Sequence, residues 1–208
     1  MSIPRRTVLA GLGLVAGAGL GGLIRFGSHS AADDTLLLRP PGALDEAEFL
    51  ASCIRCGQCV EACPAEYNTL QLVSNRAGVS FGSPFVDSRN TPCHLCANYE
   101  NLRCIDACPT AALSPVTGRA SVRMGTAVID QSRCLAYNRV ICRACWHACP
   151  FPDDAIEFDS MLRPVVVEES CVGCGLCDHA CPTEVSSIPI RPASRQPEAP
   201  LDSPEPAA

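Results

Sequence analysis

The chain has 208 residues and a formal charge of −6, with 22 acids against 16 basic side chains that are all arginine. That balance argues against a nucleic-acid partner, whose binding rests on basic contacts to phosphate, and favours a redox partner with a positive face. Aromatic residues make up only 5% of the chain and much of its apolar fraction is Ala and Cys, so a large oily core is excluded and stability has to come from metals or cross-links.

The N-terminus sets Arg5-Arg6 directly before a Gly/Ala/Leu/Val run from Thr7 to Ile24, followed by small residues from Ser28 to Ala32. A basic start, an apolar middle and small residues describe an export signal, and the adjacent arginines give it the twin-arginine form. The run is at the edge of membrane-spanning length, and its six glycines make it less hydrophobic than a typical span. Residues 1–32 are therefore expected to direct export of a chain already folded around its cofactor; the alternative is an uncleaved membrane anchor. Residues 33–44 read as a polar, then Pro-rich, linker.

Asp45 to Ser52 predicts a short helix with acids in its first turn, where the helix dipole favours them. It feeds the first motif, Cys53-x2-Cys56-x2-Cys59-x3-Cys63-Pro64. Tyr67 to Val73 reads as helical, Gly78 to Pro84 as turn, and Phe85 to Asp87 as a short strand before Cys93-x2-Cys96-x7-Cys104-x3-Cys108-Pro109. Runs of Val and Ile bounded by polar turns predict strands from Ala127 to Asp130 and from Val165 to Glu168. The first leads to Cys134-x7-Cys142-x2-Cys145-x3-Cys149-Pro150, the second to Cys171-x2-Cys174-x2-Cys177-x3-Cys181-Pro182. Further apolar stretches follow the Cys-Pro pairs at Ala111 to Leu113, Ala155-Ile156 and Val185 to Ile190. From Arg191 the chain is Pro, Ala, Ser and Glu with little else, a composition that predicts a disordered tail over 191–208.

The four motifs account for all 16 cysteines, and each ends in Ala-Cys-Pro. This is internal repetition of one ligand unit. Disulfides are disfavoured despite the even count and the export signal, because cysteine triplets at two-residue spacing converge on one metal centre. Zinc takes its ligands in pairs and has no need of the third cysteine or the remote Cys-Pro. No C-x-x-C here is followed by His, which excludes covalent haem. The compact motif is the spacing with which bacterial ferredoxins hold a cubane cluster. The chain is thus expected to carry four [4Fe-4S] clusters in an α+β, loop-rich domain over 45–190, built from tandem or nested two-cluster ferredoxin-like modules with short strands and short helices.

In two-cluster ferredoxins three cysteines of one motif join the Cys-Pro cysteine of its partner. The outer motifs are both compact and the inner two carry insertions in near mirror positions, so matching forms favour nested over sequential pairing. Nested sets would be Cys53, Cys56, Cys59 with Cys181; Cys171, Cys174, Cys177 with Cys63; Cys93, Cys96, Cys104 with Cys149; and Cys134, Cys142, Cys145 with Cys108. With four cysteines per motif, His94, His147 and His179 are read as loop residues and not ligands. Trp146 and Tyr137 are read as shields against water, and Asp153-Asp154 as caps of a short helix. There is no Gly-rich phosphate loop and no nucleophile–base pattern, so no catalytic residue is assigned.

The twin-arginine start, the compact first motif, the Gly82-Ser-Pro-Phe85 approach to the second, the Cys134-Leu-Ala-Tyr-Asn opening of the third and the compact fourth together resemble the NapG/MauM family of ferredoxin-type proteins. The likeness covers the signal and Asp45 to Pro192. It implies a periplasmic electron carrier with four [4Fe-4S] clusters. In one branch such a protein takes electrons from a membrane quinol dehydrogenase partner towards a periplasmic nitrate reductase; in the other it serves methylamine utilisation. The loop from Ala97 to Arg103 is longer than the family's usual gap. A different class of role, the iron–sulfur small subunit of a multisubunit molybdenum oxidoreductase, shares the clusters but requires a permanent apolar interface. A metal-stabilised interaction module without redox activity is the remaining alternative.

Overall fold

The computed structural model describes residues 37–74 and 78–193. The expected export signal at 1–32 and the tail residues from 194 lie outside the described residues.

A short strand that leads into a cysteine loop needs only enough backbone pairing to aim that loop, and each strand here has three residues. Strand β1 (Leu70–Leu72) pairs antiparallel with β2 (Pro84–Val86), with Leu70 opposite Val86. Strand β3 (Gly125–Ala127) pairs antiparallel with the last strand, β6 (Ile190–Pro192). Between them lies the hairpin of β4 (Ile156–Phe158) and β5 (Pro164–Val166). The second half therefore has an outer strand pair enclosing an inner hairpin, with the third and fourth motifs in the two connections. The first half repeats this plan in reduced form: a single antiparallel bridge, Ala43 to Leu113, replaces the outer pair, and β1–β2 is the inner hairpin.

Among the described residues five short helices complete the framework: α1 (Glu46–Ser52), α2 (Gln58–Glu61), α3 (Arg103–Asp106), α4 (Ala144–Ala148) and α5 (Leu176–Ala180). Helix α1 carries Glu46 and Glu48 in its first turn and buries Phe49 completely. Two-stranded ribbons are marginal by themselves, so packing must hold them. Phe49, Leu95 and Val122 anchor one core, which also takes in Cys93, Cys96 and Cys104; a smaller core joins Ala127, Ile156 and Ile188 to Cys145, Cys171, Cys177 and Cys181. Cysteine is a large part of both.

Several local expectations change. The stretch expected to be helical, Tyr67 to Val73, contains β1. Leu70 and Val73 fit a helical spacing as well as Leu70 and Leu72 fit a strand, and a run this short cannot separate the two. The ladder to Pro84–Val86 decides it, with Asn68 turning left-handed (φ 43°) just before. No helix follows Asp153-Asp154; Asp153 is itself left-handed (φ 67°) and its Oδ1 accepts the Trp146 indole N–H at 3.0 Å. Strand β6 runs past the boundary expected at 190, and the Ala193 N–H donates to the Met124 carbonyl at 3.0 Å.

The described part of the expected linker, from residue 37, joins the core. Leu38, Arg39, Pro40 and Pro41 are buried. The Arg39 guanidinium donates to both carboxylate oxygens of Glu46 (2.9 and 2.5 Å), to Ser83 Oγ and to the Pro84 carbonyl (both 2.9 Å), and sits 4.8 Å over the Phe49 ring. Replacing it leaves buried acceptors without a donor, whereas Glu46 reaches water. Arg39→Met should therefore destabilise the holoprotein by on the order of 2–4 kcal/mol, and Glu46→Gln by less than about 1 kcal/mol. Chemical denaturation followed by cluster absorbance measures both, and equal effects would contradict this account.

Candidate metal centres

The cysteine loops depend on backbone in the left-handed region. In the first motif Arg55 and Gly57 have φ of 57° and 75°, and in the fourth Gly173 and Gly175 have 71° and 87°. Such residues between helical ones turn successive amides to one side and form an anion-binding concavity. A Cβ on Gly173 would stand 2.4 Å from the backbone N of Gly125, so this loop closes on β3 only with glycine there. The second motif turns left-handed without glycine, at the adjacent residues Leu95 (φ 52°) and Cys96 (φ 50°). That costs about 1–2 kcal/mol per residue. Arg119 holds it in place: its Nε donates to the Leu95 carbonyl at 2.7 Å, and its Nη2 to the carbonyls of Cys96 (2.9 Å) and Tyr99.

These loops bring the sixteen thiols together in four sets. Cys134, Cys142, Cys145 and Cys181 line one small void, walled by Ile129, Leu135, Pro164 and Ile188. Cys63, Cys93, Cys96 and Cys104 line a second, walled by Pro41, Leu70, Leu95 and Leu102. Cys59 has Cys53, Cys56 and Cys108 as its neighbouring sulfurs. Cys174 has Cys149 and Cys171 as its neighbouring sulfurs; Cys177 has Cys174, Cys171 and Cys149, with Cys145 of the adjoining set beside it as well. Each set takes three cysteines from one motif and the Cys-Pro cysteine from another, as expected, but the pairing is sequential: first motif with second, third with fourth.

The nested sets are not brought together. Cys181 stands with the third motif instead of the first, Cys63 with the second instead of the fourth, Cys149 with the fourth, and Cys108 with the first. The reason is connectivity. The β4–β5 hairpin folds the third motif directly against the fourth, and β1–β2 does the same for the first and second, since elements close in sequence pack side by side. The position of an insertion within a motif carries no information about this.

The sets fit a cluster better than a single ion. Among the described residues no three Cys, His, Asp or Glu side chains converge on a point where one ion would be held. Instead, four thiols line one apolar-walled void in each of two sets, that of Cys134, Cys142, Cys145 and Cys181 and that of Cys63, Cys93, Cys96 and Cys104. In the bare protein burial, with repulsion from neighbouring sulfurs added, pushes Cys59 and Cys145 up to about 11, Cys93 and Cys174 up to about 12, and Cys104 and Cys177 well above the ordinary thiol range. A metal core held by such a set would supply the positive charge that deprotonates these thiols.

Two Cys-Pro cysteines behave differently. Burial raises Cys181, but the hydroxyls of Ser187 and Thr183 and their amides outweigh it and bring it down to about 7. The Thr183 hydroxyl lies 3.0 Å and the Ser187 hydroxyl 3.3 Å from its Sγ. Cys108 is also lowered: burial raises it, and the amides of Leu113, Thr110 and Ala112 with the Thr110 hydroxyl lower it by more. Among the described residues hydroxyls lie against sulfur only at these two cysteines. Sequence reasoning missed these donors, although Cys-Pro-Thr at Thr110 and Thr183 is visible there.

The histidines lie away from ligand positions. His94 stacks on Tyr67 at 4.6 Å, His147 meets Trp146 edge-on at 5.0 Å, and His179 Nδ1 is 2.8 Å from the Arg89 carbonyl oxygen. Trp146 packs on the smaller core, and Tyr137 donates to the Pro164 carbonyl at 3.2 Å with Arg163 over its ring.

Residues 127–188 match the 4Fe-4S dicluster domain family, and residues 50–66 match the 4Fe-4S binding domain family. The first match encloses the third and fourth motifs together, in agreement with their pairing in the structure. Fold, cysteine sets and these matches define a ferredoxin-type iron–sulfur electron carrier. The chain is 35% identical over 189 residues to the ferredoxin-type protein NapG of Escherichia coli, covering 85% of this chain and 80% of that protein. It is 37% identical over 192 residues to the methylamine utilization ferredoxin-type protein MauM of Methylorubrum extorquens (88% and 84% covered), and 36% over 191 residues to MauM of Paracoccus denitrificans (88% and 82%). The chain belongs to the NapG/MauM family of ferredoxin-type proteins.

Hydrogen bonds to ligand sulfur stabilise the reduced, more negative form of an iron–sulfur centre and so raise its potential. The double variant Thr183→Val, Ser187→Ala should therefore move one potential of the holoprotein to a more negative value and leave the others in place. A redox titration monitored by EPR reads this directly; unchanged potentials would show that these hydroxyls do not act on the centre.

Proposed function

We propose that the chain carries four [4Fe-4S] clusters, one on each cysteine set, and works as a periplasmic electron relay between a membrane quinol dehydrogenase partner and a periplasmic reductase system of the nitrate reductase kind. The observation that supports this best is the completeness of the four sets: all sixteen cysteines are used, and each set draws its fourth ligand from a partner motif. A bound cluster supplies reversible one-electron storage without bond making or breaking. The chain's part is to hold thiolates at fixed separation, to exclude water with apolar walls and to tune each centre through donors to sulfur.

Electron exchange with partners is supported by apolar surface near two sets. Ile54 is exposed beside Cys56, and Arg55 between them bonds the carbonyl of Val79, whose side chain is exposed together with Phe81. At the third motif Val140 and Ile141 are exposed directly before Cys142. A role in methylamine utilisation is the second reading, supported by MauM relatives as similar to this chain as the NapG protein.

Anaerobically purified holoprotein should contain about sixteen irons per chain and as much acid-labile sulfide; about eight, or zinc in place of iron, would sink the four-cluster reading. Replacing Arg5 and Arg6 together by Lys should leave loaded protein in the cytoplasm, as shown by fractionation, whereas normal export of this variant would rule out the twin-arginine route.

A further inference from the structure

The four sets occupy different places relative to one another. The Cys93 N–H donates to the Cys174 carbonyl at 2.8 Å, so a ligand loop of the second motif is bonded directly to a ligand loop of the fourth. Val172 and Cys174 pack in the first core with Cys93, Cys96 and Cys104, whereas Cys171 and Cys177 lie in the second core with Cys145 and Cys181. The set containing Cys174 therefore straddles the two halves. Within the first half, Cys59 and Cys104 sit on α2 and α3, which pack together; within the second, Cys145 and Cys177 sit on α4 and α5, which do the same.

The junction between the halves is fastened by a short segment before the second motif. Arg89 Nη1 donates to the carbonyls of Asp178 and of Cys181 (3.0 Å), and its Nη2 donates to that of Thr183 (2.8 Å), so one guanidinium caps the end of α5. Ser88 Oγ donates to the buried Asp178 carboxylate at 2.7 Å. A Cβ on Gly175 would stand 2.6 Å from the Ser88 side chain, so the two segments approach as closely as glycine allows.

We infer that the four sets form a single line. It runs from the set of Cys53, Cys56, Cys59 and Cys108 to that of Cys63, Cys93, Cys96 and Cys104, crosses at the Cys93–Cys174 peptide hydrogen bond to that of Cys149, Cys171, Cys174 and Cys177, and ends at that of Cys134, Cys142, Cys145 and Cys181, with Arg89 positioning the crossing. This rests on the proposed loading of all four sets. One electron from a one-electron donor reduces the end centre as the donor is oxidised by one electron. With clusters bound, each later hop would reoxidise one centre as it reduced the next, and no proton or leaving group would be involved.

The test uses full-length holoprotein, and iron content comes first. Fewer than about sixteen irons in the unaltered protein would count against the four-cluster reading itself; the line is judged on protein that is fully loaded. After photochemical reduction, EPR should show the two inner centres magnetically coupled. Arg89→Ala should retain iron and circular dichroism but lose that splitting, with Arg89→Lys, able to reach fewer of the three carbonyls, falling between. In a second variant, Cys171→Ala, the last centre should become magnetically isolated while the first two stay coupled to each other. Splitting that persists in a loaded Arg89→Ala protein overturns the role of Arg89. Coupling between the last centre and either first-half centre in Cys171→Ala overturns the line, whether or not Arg89→Ala retains its iron.

Discussion

The structure depends on the exchange of one cysteine between paired motifs. A motif by itself presents three thiols on a tight loop and sends its fourth away behind a proline. The fourth reaches a void only if a second motif is folded against the first, so each pair of centres and the chain around it are one construction. The short strands follow from this: three-residue ribbons are too weak to stand alone, and they serve to aim the loops that the shared ligands then tie together. Metal binding and folding are coupled in such an arrangement.

Arginine does the complementary work. Arg39 holds α1 to the β2 region, Arg119 holds the strained loop of the second motif, and Arg89 holds the first half to the end of α5. In each case one planar fork serves two or more acceptors, which a lysine ammonium on its flexible stem does less well. A loop-rich fold leaves many carbonyls outside ladders and helices, and buried carbonyls need donors. The all-arginine composition, which carries no functional meaning when read as composition, has a use at these positions.

The two kinds of sulfur environment suggest how one repeated ligand unit yields unequal centres. Cys181 and Cys108 each have a threonine two residues on, with a hydroxyl turned to the sulfur, and Cys181 has Ser187 as well. Cys63 is followed at that position by Ala65 and Cys149 by Phe151. Potential can thus be varied by residues just outside the motif, without disturbing ligand geometry.

By itself the sequence determined the ligand pattern: two motifs at ferredoxin spacing, two stretched ones, four Ala-Cys-Pro endings and the strand before the fourth motif were legible, whereas the strand before the third lies at Gly125–Ala127, earlier than the Ala127 to Asp130 expected. Pairing was not, because motif form records where a loop is inserted and not which motif lies opposite. The strand at Leu70–Leu72, the turn at Asp153 and the buried lead-in around Arg39 were hidden for a related reason, since each is settled by a partner distant in sequence: Val86 for Leu70, the Trp146 indole for Asp153, Ser83 and Pro84 for Arg39. Only the tertiary structure decided that the thiols of consecutive motifs come together and that the halves meet through Cys93 and Cys174, because those outcomes depend on which hairpins close and which carbonyls lack a donor, and neither is written in local spacing.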